Sequence, residues 1–308
     1  MAAALLVTAA CSSGRGPSDG GRGSEGAPST TAAAVAGGYG RPVLLGNIAD
    51  PAVTESSGVV ASRQVAGRYW THNDSDDGPR LYCLDHQARS CGTWTVPGID
   101  AFDWEDIASG PGPRPGVPYL YVGDIGDNLA TRASVVVHRV PEPAPGASPG
   151  ATEAAEALTL RYPDGPRDAE ALLVHPDSGD VYVVAKDAPP GVYVARAPLA
   201  AGSVRTMEKV ATLPIEGVGV FGAVTGGDIA PDGRRVALCT YLGGYELVLP
   251  GSGGAFDDIW AQPLADVALG ARPQGEGIAY RADGRALVTT SERRLGGPAP
   301  MHQVERAP

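Results

Sequence analysis

The chain has 308 residues, 43 of them Gly and 28 Pro, close to double the joint share of about 12% in ordinary proteins. Gly and Pro cost roughly 1 and 3 kcal/mol in a helix interior, which excludes a helical bundle or coiled coil, while 43% hydrophobic residues exclude a wholly disordered chain. A formal charge of −11 excludes a surface for nucleic acid or anionic membrane and fits cation binding or plain solubility.

Residues 1–11 read MAAALLVTAAC, a short apolar run followed by small residues and a cysteine. Thr8-Ala9-Ala10-Cys11 resembles a bacterial lipobox, in which the cysteine becomes the lipidated first residue of the mature protein. The run is shorter than the ~20 apolar residues that span a bilayer, and it lacks the basic start of an ordinary signal peptide. Residues 12–40 form a Gly/Ser/Ala/Pro tract with almost no large apolar side chain, which cannot offset its ordering entropy and reads as a flexible tether. The expectation is an exported protein held to the outer face of the cell membrane by a lipid on Cys11, with its folded domain over residues 41–308.

That domain carries a diverged repeat. Five segments begin with an acidic or small pair and two apolar residues: Ser57-Gly58-Val59-Val60, Glu105-Asp106-Ile107-Ala108, Glu170-Ala171-Leu172-Leu173, Gly227-Asp228-Ile229-Ala230 and Glu276-Gly277-Ile278-Ala279. Each is followed by a turn and a β-rich run: RYWTHND (68–74), YLYVGD (119–124), DVYVVAKD (180–187), RVALCTY (235–241) and RALVTTSE (285–292). Gly67, Gly179, Gly233 and Gly284 supply the turns. Successive starts lie 48, 65, 57 and 49 residues apart, room for four short strands, the size of a propeller blade. Third and fourth strands are legible at 134–141 and 156–163, and again at 191–198 and 207–214. The fifth repeat stops at a third strand over 301–305, so residues 42–48 are expected to supply its fourth and close the ring. The predicted fold is all-β, a five-bladed β-propeller closed by an N-terminal strand, with six blades as the alternative.

The first strand of each blade borders the central channel. Glu105, Glu170 and Glu276 then converge at one mouth, with Asp106 and Asp228 one position along and Glu55 two before Ser57. Carboxylates this close repel unless a cation lies between them, and calcium, taking 6–8 hard oxygens, is the expected metal. The competing reading is that each acid accepts backbone N–H groups of a neighbouring blade. A second set ends the second strands and forms a rim: His72 with Asn73 and Asp74, Asp124 with Asp127 and Asn128, Lys186 with Asp187, Thr240 with Tyr241, and Ser291 with Glu292. The Asn73-Asp74-Ser75-Asp76-Asp77-Gly78 run is an incomplete calcium loop, because Leu84 stands at the bidentate position of an EF-hand. An unknown small molecule or protein is the expected rim partner. Lys186, one of two lysines in the chain, either binds phosphate or pairs with Asp187. Cys83 and Cys91 flank seven residues in an outer hairpin and are expected to form a disulfide, as an exported protein allows; Cys239 reads as a buried thiol.

Four stretches, SSGVVASRQVAGRYWTHND (56–74), DAEALLVHPDSGDVYVV (168–184), GGDIAPDGRRVAL (226–238) and GEGIAYRADGRALVTTSE (275–292), resemble the phytase-like ("esterase-like activity of phytase") group of exported bacterial propellers. Their blade signatures are shared with NHL-type and gluconolactonase-like propellers. The resemblance implies an exported propeller, calcium dependence and action on phosphate or carboxylic esters. The sequence itself shows no His-Glu-x-x-His and no phosphate-binding loop, and the aligned Glu is missing at Ser57 and Gly227. Two functions follow: a surface-anchored binding module, or a calcium-dependent hydrolase whose metal activates water.

Overall fold

The structure, a computed structural model, describes residues 38–74, 77–215, 222–251 and 253–307. The lipobox with Cys11, the tether up to residue 37, and Ser75 and Asp76 of the incomplete calcium loop lie outside the described residues.

Among the described residues, twenty-two strands build five sheets that are antiparallel but for two short edge strands. Blade one runs from the channel outward through β2 (Ser56–Ala61), β3 (Arg68–Asn73), β4 (Arg80–Asp85) and β5 (Ser90–Thr95). Blade two uses β6 (Trp104–Pro111), β7 (Pro118–Asp124), β8 (Val135–Pro141) and β10 (Glu156–Arg161), and blade three β11 (Ala169–Val174), β12 (Val181–Ala185), β13 (Gly191–Ala195) and β15 (Glu208–Thr212). Blade four is β16 (Val224–Ile229), β17 (Arg235–Thr240), β18 (Gly244–Val248) and β19 (Ala265–Val267). Blade five is β20 (Gly275–Tyr280), β21 (Ala286–Ser291) and β22 (Pro300–Glu305), completed by β1 (Val43–Asn47), which pairs antiparallel with β22. The protein is thus a five-bladed β-propeller whose N-terminal strand closes the last blade. Two short strands, β9 (Gly150–Ala151) and β14 (Val204–Thr206), were not legible in the repeat; each pairs in parallel with the outer edge of the preceding blade.

The chain joins the ring earlier than residue 41. Tyr39 is buried, bridges Arg306, and donates its hydroxyl to Glu246 Oε1 at 2.6 Å. Tyr280 donates to the same oxygen at 2.9 Å.

The hydrophobic core is five slabs, one between each pair of adjacent blades. Inner strands therefore bury both faces, which is why YLYV, VYVV and VALC are continuous apolar runs instead of alternating ones. Each inner hairpin turns on a glycine with positive φ: Gly67, Gly116, Gly179, Gly233 and Gly284, at 65 to 76°. This is the left-handed region that only glycine enters without a Cβ clash. Alternation of strand direction puts these turns at one end of the channel. The loops joining second to third strands, and outer strands to the next blade, all emerge at the other end, the mouth.

Candidate functional site: a carboxylate mouth

At the mouth every blade has the same irregularity. The pairing of first and second strands slips by one residue between Ser56 and Val59, Trp104 and Asp106, Ala169 and Ala171, Val224 and Gly226, and Gly275 and Ile278. A bulge leaves one residue unpaired and re-aims its side chain. The residues so placed are Ser57, Glu105, Glu170, Thr225 and Glu276. In blade four this corrects the repeat as read from sequence: Val224 pairs with Thr240 as Trp104 pairs with Asp124, so Thr225, not Gly227, is the counterpart of Glu105.

The slip separates neighbouring acids. Asp106 does not join the mouth, because its carboxylate is occupied by backbone: Oδ1 accepts from Ile107 N at 2.8 Å, and Oδ2 from Leu172 N at 2.9 Å and Gly227 N at 3.1 Å. Asp228 likewise accepts from Ile229 N at 2.9 Å and Tyr280 N at 2.8 Å. It lines a cavity of about 230 Å³ at the opposite end of the channel, together with Arg63, Ser109 and Tyr280. These two residues staple blades together and are removed from the expected ligand set.

The carboxylates that do meet are Asp74, Asp103 and Glu105, whose oxygens lie within 4.8 Å of one another. Burial, and then Asp74 and Asp103, push Glu105 well above the usual carboxylate range, with Lys186 opposing. Asp103 is raised to about 6, by burial first and then by Asp74 and Asp168. Across the mouth, Glu292 is pushed up to about 10 by burial and by Glu276, with Asp74 and Glu55 adding to it. Glu276 is raised by its own burial and accepts from Gln274 Nε2 at 3.0 Å. Asp74 therefore acts on all of these groups, as like charge in a poorly solvated site must. Tyr241, raised by burial and by Glu276, Glu105 and Glu292, is blade four's contribution.

Glu170 pairs through Oε1 with Lys186 Nζ, which also lies 3.8 Å from Asp168; Lys186 therefore does not pair with Asp187, whose partner is Arg167. Glu170 Oε2 is buried without a donor. A Cβ on Gly126 would fall on the Glu105 and Asp103 carboxylates, so this glycine leaves room for their oxygens.

The remaining rim residues have other work. His72 is fully buried between blades one and two, with its ring edge-on to Trp104 at 5.7 Å, and burial lowers its pKa to about 4. Asp124 is bound by Arg132 at 2.7 Å and by Phe102 N at 3.1 Å. Asp127 accepts from Thr131 N and Arg132 N, at 2.9 and 2.7 Å, within its own loop, and Asn128 is exposed at the loop tip. Their oxygens fold the 124–132 loop against blade two. Cys83 and Cys91 are joined in a disulfide across β4 and β5, and Cys239 is a buried free thiol.

Asp103 and Asp168 were missed from sequence. The signal was present: an acid or amide stands two residues before the bulge in four blades, as Glu55, Asp103, Asp168 and Gln274. Three residues just past the second strands follow the same logic, since the backbone amides of Asp74, Lys186 and Glu292 donate to the carbonyls of Glu55, Asp168 and Gln274 at 3.0, 2.9 and 3.1 Å.

No family model matches the chain, and no curated protein sequence matches it. Solved structures of similar fold include a luciferin-regenerating enzyme, 12% identical with a TM-score of 0.47, covering 86% of this chain and 95% of that one. The WD40 repeats of RRP9 are 12% identical with a TM-score of 0.41, over 81% of this chain and 79% of theirs. Hydrazine synthase of Kuenenia stuttgartiensis is 12% identical with a TM-score of 0.39, over 77% and 68%. These likenesses concern fold alone.

Proposed function

We propose that this protein is an exported, lipid-anchored β-propeller that serves as a binding module. A divalent cation, calcium by the chemistry of the donors, is held at the mouth, and a small molecule or protein binds at the rim. The observation that carries this reading is the convergence of Asp74, Asp103 and Glu105. Three features fit a calcium ion: an all-oxygen donor set, the space left by Gly126, and the buried Glu170 Oε2 with no donor. Bound there, the cation would supply the positive charge that these carboxylates otherwise obtain by taking up protons.

The bridge between Tyr39 and Arg306 brings the chain into the propeller at the end away from the mouth. Binding is preferred to the phosphate or ester hydrolysis implied by the family resemblance because Lys186 is engaged by Glu170 and Asp168.

Calorimetric titration of the metal-stripped protein with calcium tests the reading. Heat of binding and a raised melting temperature are expected, and Glu105→Gln with Asp103→Asn should remove both. No heat and no thermal shift in the unaltered protein would overturn it.

A further inference from the structure

Among the described residues, the large apolar side chains that are at least 70% exposed are four: Leu295 at 100%, Leu129 at 83%, and Phe102 and Leu242 at 70% each. Leu129, Leu242 and Leu295 sit on the loops joining second to third strands of blades two, four and five, and Phe102 on the connection from blade one to blade two. By topology all four stand at the mouth end. The less exposed apolar residues, Val43, Leu44, Val204 and Val248, lie instead on the third or outermost strands of their sheets. Scattered exposed leucines need no explanation; four around one channel mouth on a single face do.

The surface between them is acidic. Beyond the buried carboxylates, Asp100 is exposed on the connection that carries Phe102, and Glu55 and Asp164 on the connections that enter blades one and three. The basic residues there are largely committed: Arg132 to Asp124, Arg167 to Asp164 and Asp187, Lys186 to Glu170, and Arg293 to the carbonyls of Ile48, Asp50 and Val53. Arg294, beside Leu295, adds an exposed positive charge.

We infer that this face docks a polypeptide partner that lays apolar side chains on Phe102, Leu129, Leu242 and Leu295 and presents lysine or arginine to the carboxylates between them. The inference rests on the binding-module reading and names its partner's chemistry. The four apolar contacts belong to different blades around the ring, so a ligand reaching them must cover the mouth, as a peptide segment does and a small ion does not. An anionic bilayer or a nucleic acid would bring phosphates onto carboxylates. Apolar anchors around charge-assisted contacts are the usual arrangement of an interface hot spot.

Fluorescence anisotropy tests this on the full chain with three labelled twelve-residue peptides, alternating Leu/Lys, Ser/Lys and Leu/Glu. The Leu/Lys peptide should bind at least tenfold more tightly than either of the others. Combined Phe102→Ser, Leu129→Ser, Leu242→Ser and Leu295→Ser should weaken it at least tenfold, while Val204→Ser with Val248→Ser should not; circular dichroism checks that both variants fold. Equal affinity for Ser/Lys or Leu/Glu, or wild-type affinity in the fourfold variant, would overturn the inference. So would binding to phosphatidylglycerol vesicles that depends on the four residues in the absence of peptide binding. Calcium calorimetry on the fourfold variant separates the two readings. Retained calcium heat without peptide binding in the wild type defeats the docking inference alone, and peptide binding without calcium heat defeats the metal alone.

Discussion

Replacing Asp106 with alanine separates a blade staple from a metal ligand. In the wild type its two oxygens satisfy three backbone amides, those of Ile107, Leu172 and Gly227, contributed by blades two, three and four. The side chain is fully buried, so no water replaces it without a rearrangement. Each buried amide left without an acceptor costs about 1–3 kcal/mol. Against this, burial pushes the Asp106 carboxyl well above its ordinary pKa despite the three donors, so removing it also relieves a desolvation cost. The net loss expected is about 3–5 kcal/mol, a large part of the ~5–15 kcal/mol that holds a typical domain folded. Asp106→Asn, which keeps one acceptor oxygen, should lose roughly half as much. Urea unfolding monitored by tryptophan fluorescence measures this, and calcium calorimetry at a temperature where the variant is folded provides the second axis. A loss below about 1 kcal/mol, or a fall in calcium affinity with stability intact, would show that the carboxylate faces the channel and that the assignment is wrong.

Gly126→Ala should cut calcium affinity at least tenfold with little loss of secondary structure, since its Cβ displaces the Glu105 and Asp103 carboxylates; unchanged affinity by calorimetry would place the ion elsewhere. Without metal, the protein should melt at a lower temperature as pH rises from 5 to 9. Folded-state pKa values of about 6 for Asp103 and about 10 for Glu292 lie above their unfolded values, so the folded state holds more protons in that window and loses that advantage as they leave. Saturating calcium should flatten the slope, and an apo melting temperature that rises with pH would contradict the assignment. Replacing Cys83 and Cys91 by alanine opens a bridge of sequence separation 8 and should cost about 2–3 kcal/mol by loop entropy, measured by chemical denaturation under non-reducing conditions. Tyr39→Phe deletes one of two hydroxyl donors to the buried Glu246 and should cost about 1–2 kcal/mol; an unchanged melting temperature would mean that residues before β1 do not help to close the ring.

Strand content, blade number and ring closure were legible because they depend on patterns that the chain repeats: continuous apolar runs for strands buried on both faces, and a glycine at each inner turn. The short edge strands β9 and β14 were not, since two or three exposed residues leave no periodicity to find. Blade four misled for a different reason. Asp228-Ile229-Ala230 matches Asp106-Ile107-Ala108 in residue type, yet Asp228 pairs with Ala237, three positions in from Thr240, whereas Asp106 pairs with Gly123, one in from Asp124. Side-chain chemistry aligned the two acids and backbone hydrogen bonding did not. The candidate site was legible in part, through Glu105, Glu276, Asp74 and Glu292. The opposite fates of Glu105 and Asp106 depend on a one-residue bulge, which is set by pairing with another strand and leaves no mark in local composition.

The repeated bulge also accounts for the asymmetry of the mouth. Five equivalent positions would give a symmetric ring if all were acidic, and mutual repulsion would then raise every pKa with nothing to choose between them. Blades one, two, three and five supply acids or amides at the bulge, before it, or after the second strand, whereas blade four supplies Thr225 and Tyr241. The charge is therefore displaced from the axis toward blades one and two, where Asp74, Asp103 and Glu105 meet, and is counterbalanced at blade three by Lys186. The neutral blade-four side lowers repulsion without closing the channel. An incoming cation or basic side chain thus meets Asp74, Asp103 and Glu105 off-centre, beside the loop that carries Leu129 and the connection that carries Phe102. On the docking inference, this placement ties the acidic site to the apolar residues: a partner anchored on those two would bring its charged group beside Asp74, Asp103 and Glu105.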